Sequence, residues 1–172
     1  MISFQMCPFN NKKNGFTLIE LLVVFTVIAV VSTVTIGSFV GYSKKSALKQ
    51  ASLDVASLLK DAKLRTQSQI KPASCTGVLG GYIVSICGLT GSSCSVPNTY
   101  TLSLVCSGTS TTLATNKLPV NINFSNTGTT SVTFLFPVLT SGVVGAGTIA
   151  LTGYGNDAAT VTVLSGGTFT VQ

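Results

Sequence analysis

A run of apolar residues near the start of the chain is the feature that most restricts its fold. From Leu18 to Val40 the run is about as long as the ~20 helical residues that cross a bilayer core. Lys12 and Lys13 precede it, and one carboxylate, Glu20, lies near its start. An acid near a membrane core costs roughly 2.5–3.5 kcal/mol, so Glu20 either has a functional partner or lies shallow at the headgroups. The run predicts a helix embedded in lipid or in an equally apolar protein core.

Beyond this run the chain carries few charges. Charged residues make up 8% of the sequence, against a typical ~25%. Most of the cations lie between Lys44 and Lys71, whereas the part from Pro72 onward has one cation, Lys117, and one acid, Asp157. A length of 172 residues allows one domain, or one domain and an anchor. The C-terminal part is therefore expected to be an almost uncharged domain.

The residues around the start of the apolar run form a specific motif. Lys-Lys-Asn-Gly followed by Phe-Thr-Leu-Ile-Glu-Leu-Leu-Val-Val, residues 12–24, resembles the type III signal segment of type IV pilins and type II secretion pseudopilins. The resemblance implies that a prepilin peptidase cuts between Gly15 and Phe16, and that the new N-terminal Phe16 is methylated. It also implies that Glu20 guides assembly of the mature chain into a filament.

The resemblance divides the chain into four parts: a leader at 1–15, a transmembrane or filament-core half of a helix at 16–41, an amphipathic half at 42–71, and a β-rich head at 72–172. An ordinary secretory signal is the alternative to the leader. Its apolar region is usually 7–15 residues long and precedes an Ala-x-Ala site, and the run here is longer and lacks a clear site. By the resemblance, the protein spans the cytoplasmic membrane once with its head outside the cytoplasm. It then enters an extracytoplasmic filament, either periplasmic or at the cell surface.

The helix is predicted to run from Leu18 to about Lys71, because Pro72 disfavours helical geometry in the residue before it. Its second half has an apolar seam at steps of three and four residues, which a β-sheet could cover. The seam comprises Leu48, Ala51, Val55, Leu58 and Ala62. Gly37 and Gly41 have the spacing of a close helix–helix contact, or they weaken the helix so that it melts on assembly.

The part after Pro72 has the alternation of antiparallel strands with one wet face. The pattern predicts about seven strands, and Gly166-Gly167 predicts a two-residue hairpin between the last two of them. The fold class is α+β, a long N-terminal helix packed on an antiparallel β-sheet head, as in pilins. The run from Val132 to Gln172 looks like that of GspH/FimT-like minor pilins, although their closing Gly-Arg pair is absent.

The cysteines indicate an oxidising compartment. Cys7 lies in the predicted leader, and an even set of four remains: Cys75, Cys87, Cys94 and Cys106. Zinc is the competing interpretation, but the chain has no His and no Cys-x-x-Cys, so no metal site is expected. If the strands ending at Cys87 and Cys106 pair in antiparallel fashion, Cys87 bonds with Cys94 and Cys75 bonds with Cys106. This pairing is a hypothesis among three possible connectivities.

The head lacks the residues of common enzymes. Without His there is no Ser-His or Cys-His pair, and with Asp157 as its only acid there is no carboxylate pair. No enzyme activity and no cofactor are therefore predicted. The predicted function is a structural subunit, a minor pilin or pseudopilin of a type IV pilus or type II secretion filament. Its partners would be other pilins, the inner-membrane assembly platform and prepilin peptidase. The alternative is a DNA-binding minor pilin of a DNA-uptake filament, but nucleic-acid binding is disfavoured because the head presents one cation.

Overall fold

The computed structural model describes residues 15–88, 96–125, 132–140, 142–155 and 157–172, with the backbone alone for 33–38. These residues form one helix and eight strands. The chain divides into two compact units, the first ending at Val40 and the second running from Gly41 to Gln172.

Helix α1 runs from Leu18 to Gln67. Its portion in the first unit is apolar, and its described side chains are exposed in the isolated chain. Within the described residues, no helix combines the length and hydropathy needed to span a membrane. The transmembrane role of the half at 16–41 stays a prediction. The helix is continuous through Gly37 and Gly41, and a Cβ added at Gly41 would meet no atom within 4 Å.

In the second unit, one face of α1 is buried in the core, and it differs by one residue from the predicted seam. Leu48, Ala51, Val55 and Ala62 are buried as predicted. Leu59, not Leu58, occupies the remaining position; Leu58 is half-buried at the border of the core. The prediction of Leu58 was wrong. Steps of three and four residues from Val55 both fit a period of 3.6, and both lead to a leucine, so the sequence pattern does not distinguish Leu58 from Leu59.

The helix also ends earlier than Lys71. Gln69 adopts a left-handed conformation with φ of 50°. The Ile70 amide donates to the Arg65 carbonyl at 3.0 Å, and the Gln69 amide donates to the Thr66 carbonyl at 3.1 Å. These two hydrogen bonds form a Schellman motif, which ends a helix without requiring the downstream proline.

Four strands form the first sheet, in the order β3-β2-β1-β5. They are β1 (Leu79–Cys87), β2 (Thr99–Cys106), β3 (Thr109–Lys117) and β5 (Val132–Pro137). All neighbours are antiparallel. On one face, β1 buries Tyr82, Val84 and Ile86. The alternation predicted from the sequence is thus present in β1, and it faces the core.

The other four strands form the second sheet, in the order β4-β6-β7-β8. They are β4 (Ile122–Phe124), β6 (Gly147–Gly153), β7 (Asp157–Val163) and β8 (Phe169–Val171). Both sheets and the buried face of α1 contribute to a single hydrophobic core. The rings of Tyr100 and Phe124 meet edge-on across the sheets at 6.3 Å between centroids. The α+β fold class predicted from the sequence is confirmed.

The last hairpin differs in its turn. The Leu164 amide donates to the Thr168 carbonyl at 3.0 Å, so residues 165–167 form a three-residue loop and not the predicted two-residue turn at Gly166-Gly167. Gly167 has φ of 69° and donates its amide to the Leu164 carbonyl at 2.8 Å. This arrangement, a turn followed by a left-handed residue, is the common three-residue hairpin.

Candidate processing and assembly segment

The predicted cleavage bond lies immediately before the helix. Gly15, Phe16 and Thr17 are outside regular secondary structure, and α1 begins at Leu18. The Phe16 side chain is 79% exposed. Both residues of the predicted bond are therefore accessible, and the backbone there is not held by helical hydrogen bonds.

Thr17 is the N-cap of the helix. Its hydroxyl oxygen accepts a hydrogen bond from the Glu20 amide at 3.3 Å, and its carbonyl accepts bonds from the Glu20 and Leu21 amides at 3.1 and 3.2 Å. Thr17 and Glu20 have the spacing of a capping box, in which the acid sits at the third helical position. The Thr-x-x-Glu spacing is a signal in the sequence from which this capping role can be predicted.

Glu20 also lies in the first turn of α1, where a carboxylate interacts favourably with the positive end of the helix dipole. It is exposed, and among the described residues the one ion pair is that of Arg65 with Asp61, at 2.8 Å. The apolar side chains that follow it, such as Leu21 and Phe25, are more than half exposed.

One predicted disulfide is present in the second unit. Cys75 and Cys106 are bonded, with 5.6 Å between their Cα atoms, and join the segment after the helix to the end of β2. Such a closure contributes roughly 2–4 kcal/mol to stability. Cys87 is also disulfide-bonded. Its predicted partner, Cys94, lies outside the described residues, as does Cys7.

The cations of the second unit bear on the DNA-binding alternative. The Lys63 ammonium donates to the Gly167 carbonyl at 2.7 Å, Arg65 pairs with Asp61, and Lys44 lies over the ring of Tyr154 at 5.9 Å from its centroid. Three helix cations are thus engaged within the protein. Lys117 is exposed on β3.

No group of three His, Cys, Asp or Glu side chains is assembled in the part of the chain that the structure describes. The residues with predicted processing and assembly roles, Gly15, Phe16 and Glu20, lie in the first unit, while the Cys75–Cys106 disulfide lies in the second.

The N-terminal segment is the part of the chain that matches a known protein family model. Residues 10–36 match the family model described as the prokaryotic N-terminal methylation motif. No curated protein and no solved structure matches the chain. The match ends before the head, so the GspH/FimT-like branch stays a prediction. Over these residues the chain is similar to type IV pilin-like proteins, and the motif suggests a structural subunit.

Proposed function

We propose that this chain is a minor pilin or pseudopilin that prepilin peptidase cleaves between Gly15 and Phe16. The N-terminal methylation motif at residues 10–36 carries the proposal. The exposed, non-helical position of the bond supports it, because a peptidase must bind an accessible backbone. Methylation of Phe16 would follow cleavage.

Glu20 is the proposed assembly residue. In the family that the motif resembles, its partner is the N-terminal amine of the neighbouring subunit. An ion pair in an apolar filament core offsets the desolvation of both groups, whereas loss of one leaves the other buried and unpaired. The exposed apolar residues of the first unit, including Leu21 and Phe25, would surround this pair with neighbouring helices.

Before assembly, we propose, the first unit anchors the protein in the cytoplasmic membrane and the head lies outside the cytoplasm. An assembly platform in the inner membrane would then transfer it to a filament of other pilins. Cysteine pairing in the second unit, which requires an oxidising compartment, supports this location of the head. Extraction of cell membranes at alkaline pH tests the anchoring, since an anchored chain stays with the lipid fraction.

Mass spectrometry of the mature protein tests processing. We expect a methylated N-terminal Phe16 when the chain is expressed with a prepilin peptidase, and the intact leader without the peptidase. Gly15→Leu should block cleavage, because a bulky side chain would fill the space beside the bond. A mature N-terminus at any other residue would contradict the proposed site.

The role of Glu20 needs two substitutions, because the residue also occupies a capping position. Glu20→Gln removes the charge but keeps a residue suited to the capping box, whereas Glu20→Ala removes both. If the charge is needed for assembly, both variants are processed but are nearly absent from sheared filaments. Thr17→Ala is the control for capping alone and should assemble. Normal incorporation of Glu20→Gln would show that the charge is not required.

A further inference from the structure

An open groove separates α1 from β8 within the second unit. It has a volume of about 540 Å³. The helix lines one side with Leu53, Lys60 and Leu64, and β8 lines the other with Phe169 and Val171. Phe169 is held from behind by Phe136, whose ring lies 6.2 Å away between centroids. The groove is therefore bordered by two regular elements.

The strand that borders the groove is an edge strand. β8 is last in its sheet, and Thr170 pairs with Thr162 of β7. Gln172 and Thr160 exchange two hydrogen bonds, at 2.8 and 2.9 Å. Hydrogen-bonded positions alternate along an antiparallel strand, so the amide and carbonyl groups of Phe169 and Val171 point away from β7. An added strand could bond to these groups.

The groove also has an apolar surface that the chain does not cover. Leu53 is 43% exposed and Leu64 is 50% exposed, although both belong to a helix whose opposite face is buried. Phe169 and Val171 are half-buried and face the same groove. Side chains that alternate along an added strand could bury these four residues, which adds hydrophobic stabilisation to the backbone bonds.

The charge in the groove is positive. Lys60 and Lys63 are the charged residues among those lining it. Lys63 is committed to the Gly167 carbonyl, whereas Lys60 is exposed and forms no ion pair within the described residues. A carboxylate beside the added strand would complement Lys60.

We propose that this groove binds an extended, acidic segment of a partner protein, which extends the sheet at β8. Its apolar side chains would contact Leu53, Leu64 and Phe169, and an Asp or Glu would reach Lys60. A second copy of this chain fits less well, because Asp157 is the acid of its described strands and β7 is paired on both sides. Nucleic acid fits less well too, because phosphate binding needs several cations and the groove offers Lys60 beside an apolar surface.

The test uses the full chain in lipid nanodiscs and a fluorescent probe peptide, acetyl-Val-Thr-Val-Glu-Val-Thr-amide. The control peptide has Lys in place of Glu. We expect the acidic peptide to bind about tenfold more tightly, as measured by anisotropy. Lys60→Glu should reverse this preference, and Lys117→Glu, with the same change in net charge outside the groove, should not. Equal binding of the two peptides, or no binding of either, would overturn the proposal.

A second variant tests the strand edge. Val171→Pro removes an amide that points away from β7 and leaves the bonds to Thr160 and Thr162 in place. We expect it to lose both peptides while its tyrosine near-ultraviolet spectrum stays unchanged. Self-association of the unmodified chain that Val171→Pro abolishes would replace the acidic partner with a second copy. Competition by oligothymidylate as strong as that of the acidic peptide would equally overturn the proposal.

The groove lies outside the segment on which the proposed function rests, so the two can fail separately. A chain that is not processed at Gly15 could still bind the peptide, and a chain that assembles normally could fail to bind it. The mass-spectrometric measurement and the anisotropy measurement thus distinguish the two failures.

Discussion

At the scale of single residues, Tyr82 makes the stability of the protein depend on pH in the alkaline range. Its ring is fully buried, and its hydroxyl donates to the Ile70 carbonyl at 2.6 Å. Burial raises the pKa of Tyr82 above its ordinary value; the nearby charges of Arg65, which lowers it, and Asp61, which raises it, are smaller effects. Burial likewise raises the pKa of Tyr100. In the unfolded chain both phenols ionise near pH 10.

Because the unfolded state loses these protons first, the two tyrosines are expected to leave the free energy of unfolding unchanged below about pH 10 and to lower it above that pH. Tyr82→Phe should reduce the fall, and at neutral pH it should cost about 0.5–1.5 kcal/mol for the lost hydrogen bond. Urea titrations across the alkaline range measure both effects. Tyr42→Phe, at an exposed ring, is the control. Identical alkaline profiles for Tyr82→Phe and the unchanged chain would contradict this account.

At the scale of elements, β3 shows what the sequence pattern could not predict. The strand has no apolar alternation, since eight of its nine residues are exposed and most are Ser or Thr. It exists because β2 pairs with it from Thr109 to Lys117, apart from a register shift at Leu113. The pairing depends on the adjacent strand β2 and on the turn that precedes β3. The alternation of apolar and polar residues, which predicts strands with one buried face, is absent from β3 and could not predict it. Where one face is buried, as in β1 and β5, the strands could be predicted.

The turn between β2 and β3 favours the pairing of these strands, and its contribution to stability can be tested. Ser107 and Gly108 have φ of 50° and 83°, the positive values that a two-residue type I′ turn requires. A Cβ at Gly108 would meet no atom within 4 Å, so replacement there affects backbone conformation alone. Gly108→Ala should lower the free energy of unfolding by about 1–2 kcal/mol.

Gly147 in β6 is the matched control for that substitution. A Cβ there also meets no atom within 4 Å, and its φ lies outside the left-handed region. Gly147→Ala should leave stability unchanged or raise it by up to about 1 kcal/mol, since alanine narrows the unfolded ensemble. Equal losses for the two variants would mean that the positive φ is not the cause.

At the scale of the whole molecule, the two units differ in whether they bury their apolar side chains. The second unit buries its own: the core and the residues packed against it begin at Ala47. The described side chains of the first unit are exposed along the helix. The N-terminal motif was predictable because it is a contiguous run of residues and does not depend on the packing of distant elements. The core of the head was predictable only as a pattern, because strand order and the shift from Leu58 to Leu59 depend on the packing of distant elements.

This division predicts that the second unit folds without the first. A chain that starts at Gly41 keeps every core residue, both sheets and the Cys75–Cys106 bond, and Ser43 can serve as the new N-cap of the shortened helix. We expect it to be monomeric without detergent and to unfold cooperatively, with the tyrosine near-ultraviolet spectrum of the full chain. Sedimentation and thermal unfolding measure these properties. An aggregated or unfolded product would show instead that the head depends on the apolar segment, and the full chain would then have to be treated as one cooperative structure.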